Sequence, residues 1–272
     1  MRTGLGTAVA APQASSGHAT PALPPGPGLL TSVRIVYVQQ FARVRVARVP
    51  LLFVAALQSV GILLLLRGVV DDEDPAVRTQ VVAGSSVLVV AFVALNLLAQ
   101  RFGAMRGSGA LDYYGALPVP PAAVVLGTAA SYATMAVPGT VVTAVVGALL
   151  YQLPLGGLWL LLPVVPLAGA SLAGIGALIG LLAPRQELAT VAGQLGMSAV
   201  LFLSIIPDAK LPLLLRPVRA AVPSTYAADA LAGGLHAQPA WTSIALDLGI
   251  CAAVVVIALG CGGWALRRAH RR

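Results

Sequence analysis

Six long runs of apolar residues dominate this sequence, and charged side chains fall almost entirely between them. A soluble chain of 272 residues lacks the interior to bury this much apolar surface, whereas a bilayer is itself an apolar solvent. A helix of about 20 apolar residues crosses the hydrocarbon core. The runs cover about residues 49–66, 81–99, 122–150, 158–182, 188–206 and 241–266. The sequence therefore predicts an all-α membrane protein with six transmembrane helices.

Composition agrees with a membrane location and favours it over a nucleic-acid partner. Charged residues make up 10% of the chain, against about 25% in an average soluble domain. Aromatic residues make up only 5%, so the apolar bulk is Ala, Val, Leu and Gly, whose small members let helices pack closely in lipid. The net charge of +8 follows from arginine-rich cytoplasmic loops, so it does not indicate nucleic-acid binding.

The basic residues are divided unevenly between the two sets of alternate loops. The richer set is Arg34, Arg43, Arg45, Arg48, Arg101, Arg106, Arg185, Arg267, Arg268, Arg271 and Arg272. The poorer set is Arg67, Arg78, Lys210, Arg216 and Arg219. Because cytoplasmic loops carry the excess of basic residues, both ends of the chain are predicted to be cytoplasmic. A single lysine among 17 basic residues is typical of a high-GC genome, which indicates a bacterial plasma membrane.

The N-terminal region divides into two parts. Residues 1–29 are rich in Ala, Pro, Gly, Ser and Thr, which predicts a disordered cytoplasmic tail before a membrane domain at 30–272. Over residues 30–48, apolar side chains recur at steps of three and four among arginines, which predicts an amphipathic helix on the cytoplasmic membrane surface. Its expected interfacial residues are Arg34, Tyr37, Phe41, Arg43 and Arg45. The alternative is that this segment simply extends the first span.

No motif in the chain indicates catalysis, a cofactor or a metal. There is no glycine-rich phosphate loop followed by Lys and Ser or Thr, and no local signature of a catalytic triad. The three histidines, His18, His236 and His270, are too scattered for a metal site. The two cysteines, Cys251 and Cys261, lie in one apolar run and are expected to pack there. We therefore expect no enzymatic activity and no metal in this chain.

Polar residues inside the spans are few and mostly uncharged. Only Asp247 carries charge, about two turns into the last run, whereas ion-coupled transporters usually keep an ionisable group near the bilayer midplane. This argues against a secondary transporter. The candidates for a translocation path are Gln58, Asn96, Ser131 and Gln194. The alternative is that these side chains hydrogen-bond between helices.

Two segments carry short motifs in a fixed order. After the second run, a stretch containing two arginines is followed by Gly109-Ala110-Leu111-Asp112 and Leu117-Pro118-Val119. Before the last run, residues 222–231 read Val-Pro-Ser-Thr-Tyr-Ala-Ala-Asp-Ala-Leu. These motifs resemble the Gly-Thr-Leu-Glu, Thr-Pro-Val and Thr-Tyr-Ala-x-Asp-Ala-Leu segments of type-2 ABC exporter permeases, which include antibiotic and polysaccharide exporters. The resemblance covers about residues 30–270.

The resemblance implies that the loop at 101–121 holds a coupling helix for a separate ATPase subunit, which would bind the ATP and magnesium. The implied contact residues are Arg101, Arg106, Gly109, Leu111, Asp112, Tyr113, Tyr114 and Pro118. In the family, glutamates usually stand near the glycine, whereas Arg106-Gly107-Ser108 stand here, so Asp112 would carry more of the docking. The alternative is an ordinary interfacial loop with two membrane-belt tyrosines.

The resemblance also implies an external re-entrant segment before the last span, carried by Pro223, Thr225, Tyr226 and Asp229. It implies a homodimer, or a heterodimer with a related permease. The expected function is ATP-driven export, or less often import, of a hydrophobic or amphipathic drug, lipid or glycan by alternating access. The alternatives are a membrane scaffold or assembly protein and, less favoured, a secondary transporter.

Overall fold

The computed structural model describes residues 28–43, 48–68, 74–110, 119–206, 211–236 and 238–269, and these ranges contain helices and no strand. The helices are α1 (Leu29–Arg43), α2 (Arg48–Arg67), α3 (Pro75–Gly107), α4 (Pro121–Leu150), α5 (Leu161–Leu182), α6 (Gln186–Ile205), α7 (Arg216–Ala221), α8 (Pro223–Gly234) and α9 (Trp241–Ala269). A short 3₁₀ segment, Leu155–Leu160, leads into α5. The prediction of an all-α chain is confirmed for the described residues.

Four helical segments within the described ranges are long and apolar enough to cross a bilayer. They are Pro75–Gly107, Ala122–Leu150, Leu155–Leu182 and Gln186–Ile205. Two shorter apolar helices, Phe53–Arg67 and Trp241–Ile257, lie in α2 and α9. The third and fifth predicted spans agree with the observed helices to within two residues at each end. The length of the apolar runs was therefore a sufficient guide to the main helices.

Helix α3, Pro75–Gly107, contains the predicted second span, residues 81–99, and extends beyond it at both ends. At the start, the Asp74 carboxylate accepts a hydrogen bond from the Ala76 backbone N–H at 3.0 Å, and proline occupies the first helical position. An Asp cap followed by Pro is a favourable helix start. Arg78, which was assigned to an outer loop, consequently lies on α3.

Helix α3 forms the centre of the bundle and contacts α2, α4, α5, α6 and α8. Glycines allow the closest of these approaches. A Cβ added at Gly176 of α5 would lie 2.6 Å from the carbonyl oxygen of Leu95, and one added at Gly180 would lie 2.5 Å from that of Ala99. The α3 and α5 backbones therefore touch at two glycines that lie about one helical turn apart. Gly176 thus serves helix packing.

Helix α1 is separate from α2, with residues 44–47 outside the described part of the chain. It packs on the first half of α4, where Val36 lies against Gly127 and the Tyr37 hydroxyl lies 3.4 Å from the Thr134 hydroxyl. The Tyr37 and Phe41 rings stack with centroids 5.5 Å apart. The predicted membrane-surface position of α1 stays a prediction, as does the tail at 1–29, which lies outside the described residues apart from its last two positions.

One end of the bundle gathers the short helices α7 and α8. Helix α8 packs against α3, α5, α6 and α9. The 3₁₀ segment lies so close to it that a Cβ added at Gly157 would lie 2.0 Å from the carbonyl oxygen of Gly234. The Trp159 and Trp241 rings, 5.8 Å apart, join the same segment to the start of α9. This end therefore holds the start of α3, the start of α9 and the 3₁₀ entry to α5.

Candidate functional site

The opposite end of the bundle joins the last turns of α3 to α5 and α6. Arg106 donates a hydrogen bond from Nη1 to the backbone carbonyl of Leu181, in the last turn of α5. The last carbonyls of a helix lack intrahelical partners and carry partial negative charge, so a guanidinium is well suited to them. Phe102 is fully buried, and Gly103 lies against Ala189 of α6. Three helix ends are thereby fixed to one another.

Two of the predicted coupling residues occupy a different element from the one expected. Arg101 and Arg106, predicted to lie in a loop, lie on the last turns of α3. The helix continues past the first polar residues because Phe102, Gly103 and Met105 are buried against the bundle.

The helix ends at the turn formed by Ser108 and Gly109, where Gly109 has a φ of 70°. This left-handed conformation is the one that glycine adopts readily after a helix. The other predicted coupling residues lie outside the described part of the chain: Leu111, Asp112, Tyr113, Tyr114 and Pro118.

A groove of about 560 Å³ opens between the middle of α3 and α6. Its polar lining includes Asn96, Gln100 and Gln194. Gln100 donates from Nε2 to Oδ1 of Asn96 at 3.0 Å, one helical turn away. Gln194 is exposed on α6 across the groove. The structure thus brings together two of the four predicted translocation-path residues and adds Gln100.

The groove lies beside an irregular stretch of α3. Ala91–Leu97 forms a π-helical turn, a distortion that is frequent at functional sites. Asn96 belongs to this turn and is buried. Gly193 of α6 faces it, and no side chain would fit at Gly193, because an added Cβ would lie 2.9 Å from the Asn96 Oδ1. Local helix geometry and a glycine in the facing helix therefore set the position of Asn96.

The other two predicted path residues lie elsewhere. Ser131 is buried on α4 and donates its hydroxyl hydrogen to the carbonyl of Thr128 at 2.7 Å. Gln58 is half-buried on α2. Neither lines the groove between α3 and α6. The Ser131 hydroxyl bonds within its own helix and not to another helix.

A buried ionic network lies at the end that holds α7 and α8. The Arg219 guanidinium contacts the Asp229 carboxylate through two bonds, Nη2 to Oδ1 at 2.6 Å and Nη1 to Oδ2 at 2.9 Å. Its Nε donates to the carbonyl of Leu203 at 3.2 Å. Gln80 of α3 donates to Asp229 Oδ1 at 2.9 Å and to the carbonyl of Ser204 at 2.8 Å. The network joins α3, α6, α7 and α8.

The remaining residues of the predicted re-entrant motif support this network through the backbone. Pro223 begins α8. The Thr225 hydroxyl lies within 2.9 Å of the Arg219 carbonyl, to which it donates, and the Tyr226 hydroxyl donates to the Ala220 carbonyl at 2.9 Å. These bonds fix the link between α7 and α8, so the motif has a structural role, and the external re-entrant position of the segment stays a prediction.

Sequence reasoning missed Arg219 and Gln80 as members of this site. Arg219 was assigned to an external loop, yet it is only 7% exposed. One signal was present: an aspartate in the mostly apolar 12-residue helix Pro223–Gly234 needs a cation nearby, and Arg219 precedes it by ten residues. Gln80 carried no such signal, because it contacts Asp229 across 149 residues of sequence.

Metal-binding clusters are absent from the described residues, where no group of three or more His, Cys, Asp or Glu side chains comes together. Cys251 is buried and Cys261 exposed, and both are free thiols. His236 has its Nε2 3.4 Å from the Thr79 hydroxyl.

Several long apolar helices packed through glycines define a multi-pass membrane protein. The sequence profile of the ABC-2 type transporter family matches residues 31–236, which is most of the chain. The chain therefore belongs to the ABC-2 type transporter family, as its motifs indicated. A comparison with curated proteins gave no match.

Proposed function

We propose that the chain is the transmembrane permease subunit of an ATP-driven exporter in a bacterial plasma membrane. In this proposal it crosses the bilayer six times with both ends in the cytoplasm, dimerises, and transmits the movement of a separate ATPase subunit to a path for hydrophobic or amphipathic substrates. The observation that carries the proposal is the family match across residues 31–236, because it covers both the groove and the helix ends that lead to the candidate coupling segment.

The contacts at the two ends of the bundle support alternating helix directions. At one end, Leu63 of α2 accepts a hydrogen bond from Tyr151, just after α4, and Gln80 at the start of α3 meets Ser204 at the end of α6. At the other end, Arg106 of α3 meets Leu181 at the end of α5. Successive long helices therefore run in opposite directions, as consecutive membrane spans do.

The fixed end of α3 supports a coupling role for the segment that follows it. A lever transmits force only if its base is rigid, and Arg106, Phe102 and Gly103 hold the end of α3 against α5 and α6. A displacement of residues 111–118 by an ATPase would thus be passed to the two helices that border the groove, α3 and α6.

The polar groove supports assembly into a dimer. An amide side chain exposed to hydrocarbon without a partner costs several kcal/mol. Gln194 stands at the middle of α6, on an open face with Val191 and Leu195, which are 54% and 66% exposed. Covering this face with a second permease chain would replace lipid with an enclosed path lined by Gln194, Gln100 and Asn96.

The test is purification of the tagged chain from its native membranes, followed by assay for ATP hydrolysis and for a co-purifying subunit with a phosphate-loop motif. The double variant Asp112→Arg, Tyr113→Ala should insert normally and lose that subunit. The matched control is Arg216→Ala, at the opposite end of the bundle, which should keep it. An unchanged yield of ATPase with the double variant would contradict the coupling role of residues 111–118.

A further inference from the structure

We propose that the groove between α3 and α6 binds an uncharged amphiphile whose head group both donates and accepts hydrogen bonds, such as a primary or secondary amide on a hydrocarbon body. This inference rests on the proposed function, because it assigns a substrate class to the same path. It goes further in excluding cationic and anionic head groups.

The lining of the groove selects against charge. Among the described residues that border it, the polar groups are amides and hydroxyls, and the rest are apolar, including Phe92, Leu97 and Leu195. A charged head group entering this groove would lose its hydration without gaining a counter-charge. The volume of about 560 Å³ lies within the range typical of small-molecule sites, about 300–1,000 Å³.

The hydrogen bonding within the groove leaves the Asn96 amide hydrogens and the Gln100 carbonyl oxygen side by side. Because Gln100 donates to Asn96 Oδ1, the bond uses the Asn96 carbonyl and one Gln100 N–H. The Asn96 amide hydrogens and the Gln100 carbonyl oxygen are then directed to other partners. An amide carries the complementary pair, a carbonyl for Asn96 and an N–H for Gln100.

The two hydroxyls of the groove add little to recognition of a head group, so recognition depends on the amide side chains. Thr190 donates to the carbonyl of Gln186 at 3.1 Å, and Ser198 donates to that of Gln194 at 3.0 Å, so both hydroxyl hydrogens are used within α6. Gln194, across from Asn96, is the remaining side chain with both a donor and an acceptor.

The experiment uses the full chain in phosphatidylcholine nanodiscs and a diazirine-bearing analogue of dodecanamide as a photoprobe. Labelled residues are mapped by mass spectrometry. Unlabelled dodecanamide, dodecylammonium and dodecanoate then compete at equal bilayer concentration. We expect labelling on the groove faces of α3 and α6, with dodecanamide competing about tenfold better than either charged analogue, equivalent to 1.4 kcal/mol.

Two variants and one control test the residues. Loss of one hydrogen bond should weaken probe binding about fivefold in Gln194→Leu and in Asn96→Leu. Gln194 is exposed, so its replacement leaves the packing intact and keeps the test valid if Asn96→Leu fails to fold. The control Gln58→Leu removes another mid-helix glutamine, outside the groove, and should leave binding unchanged.

The inference is overturned if either charged analogue competes as well as dodecanamide, or if Gln194→Leu binds the probe like the unaltered chain. These results are separable from those on the proposed function, because the nanodisc assay contains no ATPase. Labelling of the groove that favours the uncharged amide, without any ATPase association, would support the binding site and contradict the exporter. ATPase association without such labelling would support the exporter and contradict the binding site.

Discussion

The Arg219 Nη2 lies 2.6 Å from Asp229 Oδ1, and this pair joins the short helix α7 to α8, which packs against α3 and α6. The Arg219 side chain is only 9% exposed, so water solvates little of its guanidinium and Asp229 supplies the counter-charge. Removing one member of a buried ion pair strands the other and costs about 3–5 kcal/mol. Asp229 is 27% exposed, which favours the lower end of that range.

Asp229→Ala should therefore lower the free energy of unfolding by about 3 kcal/mol. The double variant Arg219→Met, Asp229→Leu should recover most of the loss, because no charge is then left unpaired. Thermal denaturation of the purified chain in detergent measures both. Arg216→Ala, on the exposed part of α7, serves as the control. Equal losses for the single and double variants would show that packing, not charge, holds α8.

The contacts of Arg219 and Arg106 also show where sequence reasoning reached its limit. The apolar runs located the main helices because membrane helices need a minimum length of apolar side chains. Polar residues at the helix ends were assigned to loops, since a single sequence does not reveal distant partners. Arg106 meets Leu181 across 75 residues, and Gln80 meets Asp229 across 149.

The groove was predictable only in part, for a related reason. Asn96 and Gln194 stood out as polar residues within apolar runs, and the structure places both on one groove. Ser131 and Gln58 stood out equally, but they point elsewhere because the orientation of each helix depends on its packing. The π turn that includes Asn96 shifts the helical register by a fraction of a turn, which no sequence pattern predicted.

The contact between Arg106 and Leu181 predicts that Arg106 stabilises the end of α5. Arg106→Met should lower the free energy of unfolding by about 1.5–3 kcal/mol, the range for hydrogen bonds to charged groups. It should also raise amide hydrogen exchange in the last turns of α3 and α5. Arg106→Lys should restore part of the protection. Arg185→Ala is the control, because Arg185 is exposed between α5 and α6. Unchanged exchange in Arg106→Met would rule out the stabilising role.

Gln152, just after the C-terminus of α4, has a strained backbone conformation that a substitution can relieve. Gln152 has a φ of 54°, and the Leu153 backbone N–H bonds to the carbonyl of Ala148 at 2.8 Å, the pattern of a Schellman motif. Glycine adopts this conformation without the cost of about 1–2 kcal/mol that a side chain incurs. Gln152→Gly should therefore raise the melting temperature, whereas Gln152→Ala should not. A lower melting temperature for the glycine variant would contradict a left-handed Gln152.

A glycine-to-alanine substitution should have opposite effects at Gly180, in the close contact between α3 and α5, and at Gly61, which has open space around it. At Gly180 an added Cβ would lie 2.5 Å from the Ala99 carbonyl oxygen and 2.6 Å from the Phe102 Cβ, so the helices must separate. Overpacking of this kind costs about 1–3 kcal/mol, and the helix propensity gained from alanine offsets up to about 1 kcal/mol of it.

Gly61 on α2 provides the matched case, because an added Cβ there meets no atom within 4 Å. Gly61→Ala should therefore be neutral or stabilising, and Gly180→Ala destabilising, when the two are compared by thermal denaturation in the same detergent. Because α3 borders the groove and Phe102 precedes the Arg106 contact, the separation in Gly180→Ala should also increase hydrogen exchange at the end of α3. Equal melting temperatures for the two variants would show that α3 and α5 do not touch at Gly180.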